Sequence, residues 1–237
     1  SNYLNVNEFI PTITYETDDE TEKTEVSGVV QIPTNLNISI QTNATKTQYD
    51  DITIENLRGN LIIQNGSLQL SNSSLGIIGA TAKMDAFYKN EGSQKAYFDY
   101  KINASEFDIK RAYNEIKMFR EIVTAAESAE GIVGLNYSIK GVLNNQMEPV
   151  MPSLEGSGTL SVKKVKMKGF KLLNVVSAKT ENPDIKDPDI SKVDIKSTIK
   201  NNIVTVDRFK FKVAGFRLRF EGQTSLDGKL NLKMRVG

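Results

Sequence analysis

The sequence predicts a mainly β protein: a long, strongly twisted and mostly antiparallel sheet curled around one apolar face, with one long and one short helix packed on it. Apolar and polar residues alternate with period two over most of the chain, as in strands with one buried face and one wet face. Turn residues separate these runs about every ten residues, a spacing typical of all-β sheets. The pattern of strand, Asn-rich turn and strand at 57–70 returns at 193–206. The chain therefore repeats hairpins along one sheet.

The first half of the chain contains mostly predicted strands. Residues 3–10 are predicted as a short strand, and the acidic run at 16–25 is predicted as a solvated loop. Asn65 and Gly66 predict a tight hairpin turn, because both residue types tolerate positive φ. The further strands of this half are predicted at 29–32, 36–42, 52–63, 67–70, 75–88 and 96–103.

The period changes after Asn103, where apolar residues begin to recur at steps of three and four. This spacing predicts one amphipathic helix over 107–129, with Ser105 or Asp108 as its N-cap and Gly131 ending it. We expect the helix to lie on the apolar face of the sheet with Ile116 and Phe119 buried. The apolar positions are Ile109, Ala112, Tyr113, Ile116, Phe119, Val123 and Ala126.

The second half resumes with strands predicted at 132–142 and 158–167 and a shorter helix at 169–178. Pro183 and Pro188 predict a break before the last strands, because a proline disfavours regular structure in the residue before it. Four strands then form a closing meander at 193–200, Ile203–Val213, Phe216–Ser225 and Leu230–Val236. Its turns are predicted at Asn201-Asn202, Ala214-Gly215 and Asp227-Gly228.

The closing meander gives the clearest alternation in the chain, and side chains two apart in a strand share a face. One face is predicted to be apolar and is the candidate lipid groove. Its residues are Phe209, Phe211, Phe216, Leu218, Phe220, Leu230, Leu232 and Met234. The wet face is predicted to carry Arg208, Lys210, Arg217, Arg219 and Lys233.

Composition excludes several classes of function. Lys and Arg number 30 and Asp and Glu 29, so the net charge of +1 argues against a general nucleic-acid binder. The chain has no Cys and no His, which removes disulfides, the Ser-His and Cys-His dyads and the usual zinc ligand sets. Asp184, Asp187 and Asp189 loosely resemble a calcium loop but lack its glycine and terminal Glu. We therefore expect no catalytic residue, no metal and no cofactor.

A lysine-rich stretch runs from Lys163 to Lys171. Its ordinary interpretation is the solvated face of a strand. The alternative is attraction to anionic lipid head groups, to which each nearby lysine contributes about 1 kcal/mol. The head-group candidates are Lys164, Lys166 and Lys168.

The apolar face also has two interpretations. It is either a core covered by the two helices or an incompletely covered surface that takes acyl chains. A hydrocarbon chain gains about 0.8 kcal/mol for each buried CH₂, so such a surface binds lipid without any catalytic residue. No run of 18 apolar residues is present to span a membrane.

The order of these elements resembles the C-terminal region of the AsmA family, in the form found in Bacteroides-like bacteria. The resemblance covers nearly the whole chain, and its motifs are glycine and apolar patterns rather than catalytic signatures. They are YDDITIENLRGNL at 49–61, FDIKRAYNEI at 107–116, GLNYSIKGVL at 134–143, LEGSGTL at 154–160, GFKLLN at 169–174 and VDRFKFKVAG at 206–215.

The resemblance implies a periplasmic body anchored to the inner membrane, with kinship to TamB-like and bridge-type transporters that carry lipid along an apolar groove. We expect a single domain over 1–237, with similar halves at about 3–130 and 131–237, cut from a longer membrane-anchored protein. The expected function is non-enzymatic handling of phospholipid or lipopolysaccharide in outer-membrane biogenesis. The alternative is a structural module of outer-membrane assembly that binds an envelope protein at an open strand edge.

Overall fold

In the part of the chain that the structure describes, eleven antiparallel strands form one open sheet, and each is hydrogen-bonded to its neighbours in the chain. The computed structural model describes residues 3–5, 28–49, 52–213, 215–226 and 230–236. A twelfth, short strand, β1 (Tyr3–Asn5), pairs in parallel with Lys46–Gln48 at one edge. The mainly β, mostly antiparallel fold predicted from the alternation is confirmed.

The antiparallel strands are long, and most exceed the bounds predicted for them. They are β2 (Asn37–Tyr49), β3 (Ile52–Gln64), β4 (Ser67–Ile77), β5 (Ala80–Glu91), β6 (Lys95–Asp108), β7 (Ala129–Leu143), β8 (Glu155–Met167), β9 (Asp189–Lys200), β10 (Ile203–Val213), β11 (Phe216–Ser225) and β12 (Leu230–Val236). The last three have the predicted bounds.

The single helix predicted over 107–129 is wrong. The structure has two short helices there, α1 (Ile109–Glu115) and α2 (Lys117–Ile122), followed by a 3₁₀ turn at Thr124–Ser128. The chain breaks at Ile116, with φ −112° and ψ 102°, and again at Val123. A straight helix of that length would extend about 35 Å and carry the chain away from β7, which pairs directly with β6. The two breaks therefore let the chain turn back, so that β7 can pair with β6.

The other predicted elements need smaller corrections. The strand predicted over 75–88 is two strands, because Ile78 and Gly79 form a turn with φ of 50° and 76°. The segment 29–32 is not a strand, although the Val29 N–H donates to the Ser93 carbonyl at 3.0 Å. The shorter helix is confirmed as α3 (Lys171–Thr180). Some predicted features lie outside the described residues: most of 3–10, the acidic loop at 16–25, and turn residues Ala214, Asp227 and Gly228.

One hairpin geometry occurs twice, 136 positions apart. Asn56 and Asn65 have positive φ, and so do Lys192 and Asn201. The strands β4 and β10 each have 11 residues. Both are kinked at equivalent places, by a register shift at Leu70/Ser73 in β4 and at Val206/Phe209 in β10. The repeated pattern at 57–70 and 193–206 thus builds the same bulged hairpin.

The described residues form two buried apolar clusters on one face of the sheet. The helix-end cluster joins the strands to α1 and α3 and includes Ala104, Ala112, Val133, Leu173 and Leu218. The loop-end cluster lies at the opposite ends of the strands and includes Val29, Phe98, Ile139, Leu154 and Ile199. In β6, Phe98 and Ala104 are an even number of residues apart, so both clusters share a face.

Candidate functional site: an apolar band across the sheet

A row of half-buried apolar side chains separates the helix-end cluster from the loop-end cluster, and we call it the apolar band. In β6, Ile102 and Tyr100 are half-buried, whereas Ala104 on one side and Phe98 on the other are buried. The same order of buried, half-buried and buried residues occurs in β5, β7 and β9. The band residues are Met84, Tyr100, Ile102, Leu135, Tyr137, Leu160, Ile195, Val206 and Phe209.

The strand register makes this band continuous across the sheet. Residues directly opposite each other in an antiparallel pair lie on the same face. One row of such partners, from β5 to β10, is Met84, Ile102, Tyr137, Gly158, Ser197 and Val206. At a strand spacing of about 4.8 Å, this row is about 24 Å long. The band therefore runs perpendicular to the strands.

Tyr137 lies at the centre of the band, beside Gly156 and Gly158 of β8, which have no side chain. A Cβ atom at Gly158 would collide with the Asn136 carbonyl and with the Tyr137 ring, and one at Gly156 would lie 3.1 Å from the same ring. The Tyr137 hydroxyl lies 3.1 Å from the Ser197 hydroxyl of β9. Burial raises the pKa of Tyr137, and the hydrogen bond to Ser197 opposes this shift.

The register confirms that six members of the predicted apolar set share one face: Phe209, Phe211, Phe216, Leu218, Phe220 and Met234. Phe209 pairs with Phe220, which pairs with Met234. The opposite face of the same strands carries pairs such as Lys210 and Arg219. The rings of Phe209 and Phe220 lie 5.4 Å apart. For Leu230 and Leu232, the structure gives the backbone register, opposite Thr224 and Gly222.

Burial divides this predicted groove into core and surface. Leu218 is 0% exposed, and Phe211 and Phe220 are also buried. Phe209, Phe216 and Met234 are half-buried. Phe209 is thus the member of the set that joins the apolar band, whereas Leu218 is a core residue.

The three predicted head-group lysines are exposed, and the two in β8 lie on the face opposite the band. Val162 and Val165 of β8 are buried on the apolar face, with a bulge between them, so Lys164 and Lys166 point the other way. Lys168 forms an ion pair with Glu130 at 2.6 Å. That hydrogen bond lowers the pKa of Glu130. These lysines do not line the band.

The described residues contain no group of three or more His, Cys, Asp or Glu side chains placed to hold a metal ion. Of the suspected calcium set, Asp187 accepts a hydrogen bond from the Gly169 N–H at 2.9 Å. A cavity of about 230 Å³ lies beside the turn at Ile78–Gly79, where Arg111 pairs with Glu115 at 2.8 Å. It lies at the helix end of the sheet and is smaller than most ligand pockets.

No helix in the described part of the chain has the length and apolar character needed to cross a membrane. The sequence interpretation placed the site in the closing meander and missed the central strands. The sequence does contain a signal for the band, because Ile102, Leu160 and Ile195 are inward positions near the middle of alternating strands. Alternation gives the face of a residue but not what covers it, so the band was not distinguishable from core.

Comparison of the chain with protein families, with curated proteins and with solved structures finds no match. The resemblance to the AsmA family stays a prediction that rests on its sequence motifs.

Proposed function

We propose that this protein handles lipid in the bacterial cell envelope without catalysis. Acyl chains of phospholipid or lipopolysaccharide lie on the apolar band, while the head groups stay in water. Each CH₂ that leaves water on the band contributes about 0.8 kcal/mol. The protein acts in the periplasm, anchored to the inner membrane, as the resemblance to the AsmA family implies.

One observation supports this proposal above the others: the apolar face is less buried in its middle than at its margins. A closed core is most buried at its centre, because every side chain there has neighbours on all sides. In β6 and β7, by contrast, the central residues Tyr100, Ile102, Leu135 and Tyr137 keep part of their surface exposed. A partly exposed apolar strip of this kind favours a surface that receives an apolar guest.

Lipid that co-purifies with the protein from bacterial membranes tests the proposal. Ile195→Glu places a charge in the band, which must lose its water beside an acyl chain, and it should remove the bound lipid. Lys196→Glu changes the charge of the next residue, which is exposed on the wet face, and should leave bound lipid unchanged. Lipid mass spectra that are the same for both variants, with both proteins folded, would contradict the proposal.

The open sheet supports a second candidate, a structural module that binds an envelope protein by strand addition. At the β2 edge, the register pairs β1 with Lys46–Gln48 and gives no outer partner to Asn37–Thr45 among the described residues. A photo-crosslinker at Ser39 would then capture a protein. Capture of a protein at Ser39, together with no lipid in the purified sample, would favour this candidate over the first.

A further inference from the structure

The short helix α2 connects the two apolar clusters. Its neighbouring residue Ile116 and its own Phe119 pack on the helix-end cluster, and the Phe119 ring meets the Phe107 ring edge-on at 6.0 Å. Met118 and Ile122 pack instead on the loop-end cluster. Since the apolar band lies between these clusters, α2 lies across the band.

This helix is attached more loosely than its neighbours. None of its residues is buried, whereas α1 has two buried residues, Ile109 and Ala112. Backbone breaks at Ile116 and Val123 flank it, and neither residue forms a side-chain N-cap. Across the first break, the Arg120 guanidinium donates to the Asn114 carbonyl of α1 at 3.1 Å. Breaks of this kind are where a chain absorbs the φ/ψ change of a hinge motion. Local stability is lowest where few apolar contacts hold a segment.

A single ion pair ties α2 to the loop between β7 and β8. The Lys117 ammonium lies 2.7 Å from the Glu148 carboxylate, and both side chains are partly exposed. Asn144 also donates to Glu148 at 3.2 Å and so holds the carboxylate in place. An exposed ion pair is a weak tie, and water replaces it readily.

We propose that α2 is a hinged strap over the apolar band, latched by Lys117 and Glu148, that opens to admit an acyl chain and closes over it. The strap swings about Ile116 and Val123. Opening uncovers the band on β6 and β7, and closing returns Met118 and Ile122 to the loop-end cluster. That the strap admits an acyl chain rests on the proposed lipid function. The hinge at Ile116 and Val123 and the latch between Lys117 and Glu148 rest on the backbone and contacts of α2 alone.

Crosslinking tests the strap directly, because the native chain has no Cys to interfere. The double variant Lys117→Cys/Glu148→Cys, closed with a short bis-maleimide, fixes α2 to the loop. Stopped-flow uptake and release of a fluorescent long-chain fatty acid should both become several-fold slower. The control is Lys140→Cys/Glu155→Cys, which replaces a similar ion pair of 3.2 Å between β7 and β8. Crosslinking the control should leave both rates unchanged, and equal rates in the two crosslinked proteins would overturn the proposal.

Amide hydrogen exchange tests the hinge without any lipid. In Glu148→Gln, the amides of α2 should exchange faster while those of β6 and β7 keep the wild-type rate; Glu155→Gln should change neither. If α2 exchanges only together with β6 and β7, the strap does not move by itself and the proposal fails. Independent exchange of α2, with no fatty acid bound by any variant, would overturn the lipid function and leave the hinge standing.

Discussion

Tyr137 shows how single residues shape the band. Its ring covers the bare backbone at Gly156 and Gly158, and its hydroxyl reaches Ser197 on the next strand but one. One tyrosine therefore fills the space above three strands, while part of its surface stays open. The sequence gives the two glycines of EGSGT, but not which side chain covers them, because that depends on the register of β7 against β8.

Gly158→Ala should destabilise the protein, because the added methyl group meets the Asn136 carbonyl, which belongs to the backbone and cannot rotate away. We expect a loss of about 1–3 kcal/mol, the usual cost of overpacking. Gly76→Ala is the control, since its Cβ would lie 3.2 Å from the Glu55 Cβ, a contact that a small shift relieves. Equal midpoints for the two variants in denaturant melts would show that the backbone around Gly158 has room for a methyl group and would contradict this prediction.

Tyr137→Phe should change the pH dependence of stability. Burial raises the pKa of Tyr137, so the folded state holds this proton more tightly than the unfolded state. The stability that protonated Tyr137 contributes is fully present below about pH 10, the usual tyrosine pKa. It is lost as the pH rises through the pKa of Tyr137 in the folded protein. The wild type should therefore lose more stability than Tyr137→Phe as the pH rises above about 10. Parallel unfolding curves over that range would contradict this.

At the scale of elements, alternation predicts strands well and predicts helix ends poorly. The bounds of β10, β11 and β12 follow from strict alternation and from turn residues such as Asn201. The break between α1 and α2 does not follow from the sequence, because Ile116 fits the helical spacing. Ile116 and Phe119 pack on the helix-end cluster but are half-buried rather than buried as predicted.

The closing meander gives a prediction at this scale. Leu218 is 0% exposed, so Leu218→Glu should unfold the protein rather than report on lipid. The cost of a buried, unpaired carboxylate is several kcal/mol. Arg217→Glu, one residue away on the exposed face, should change stability by less than about 0.5 kcal/mol. Circular dichroism and a thermal melt of both variants decide this, and a folded Leu218→Glu protein would show that the meander is surface.

At the scale of the whole molecule, one hairpin geometry is used twice to extend a single sheet. Every strand pairs with its chain neighbours, so the apolar band can cross many strands without interruption. The sequence predicts the sheet and its apolar face because both depend on local period. It does not predict which parts of the apolar face form the two buried clusters and which part stays half-buried as the apolar band. That depends on where α1, α2 and the segment at 29–32 pack.

The central claim, that acyl chains lie on the band, is tested most directly by photo-crosslinking in living cells. A photo-reactive amino acid at Ile102 lies in the band, and one at Lys101 lies on the opposite, exposed face of the same strand. We predict that position 102 captures lipid and that position 101 does not. Capture at neither position, or equal capture at both, would contradict the account.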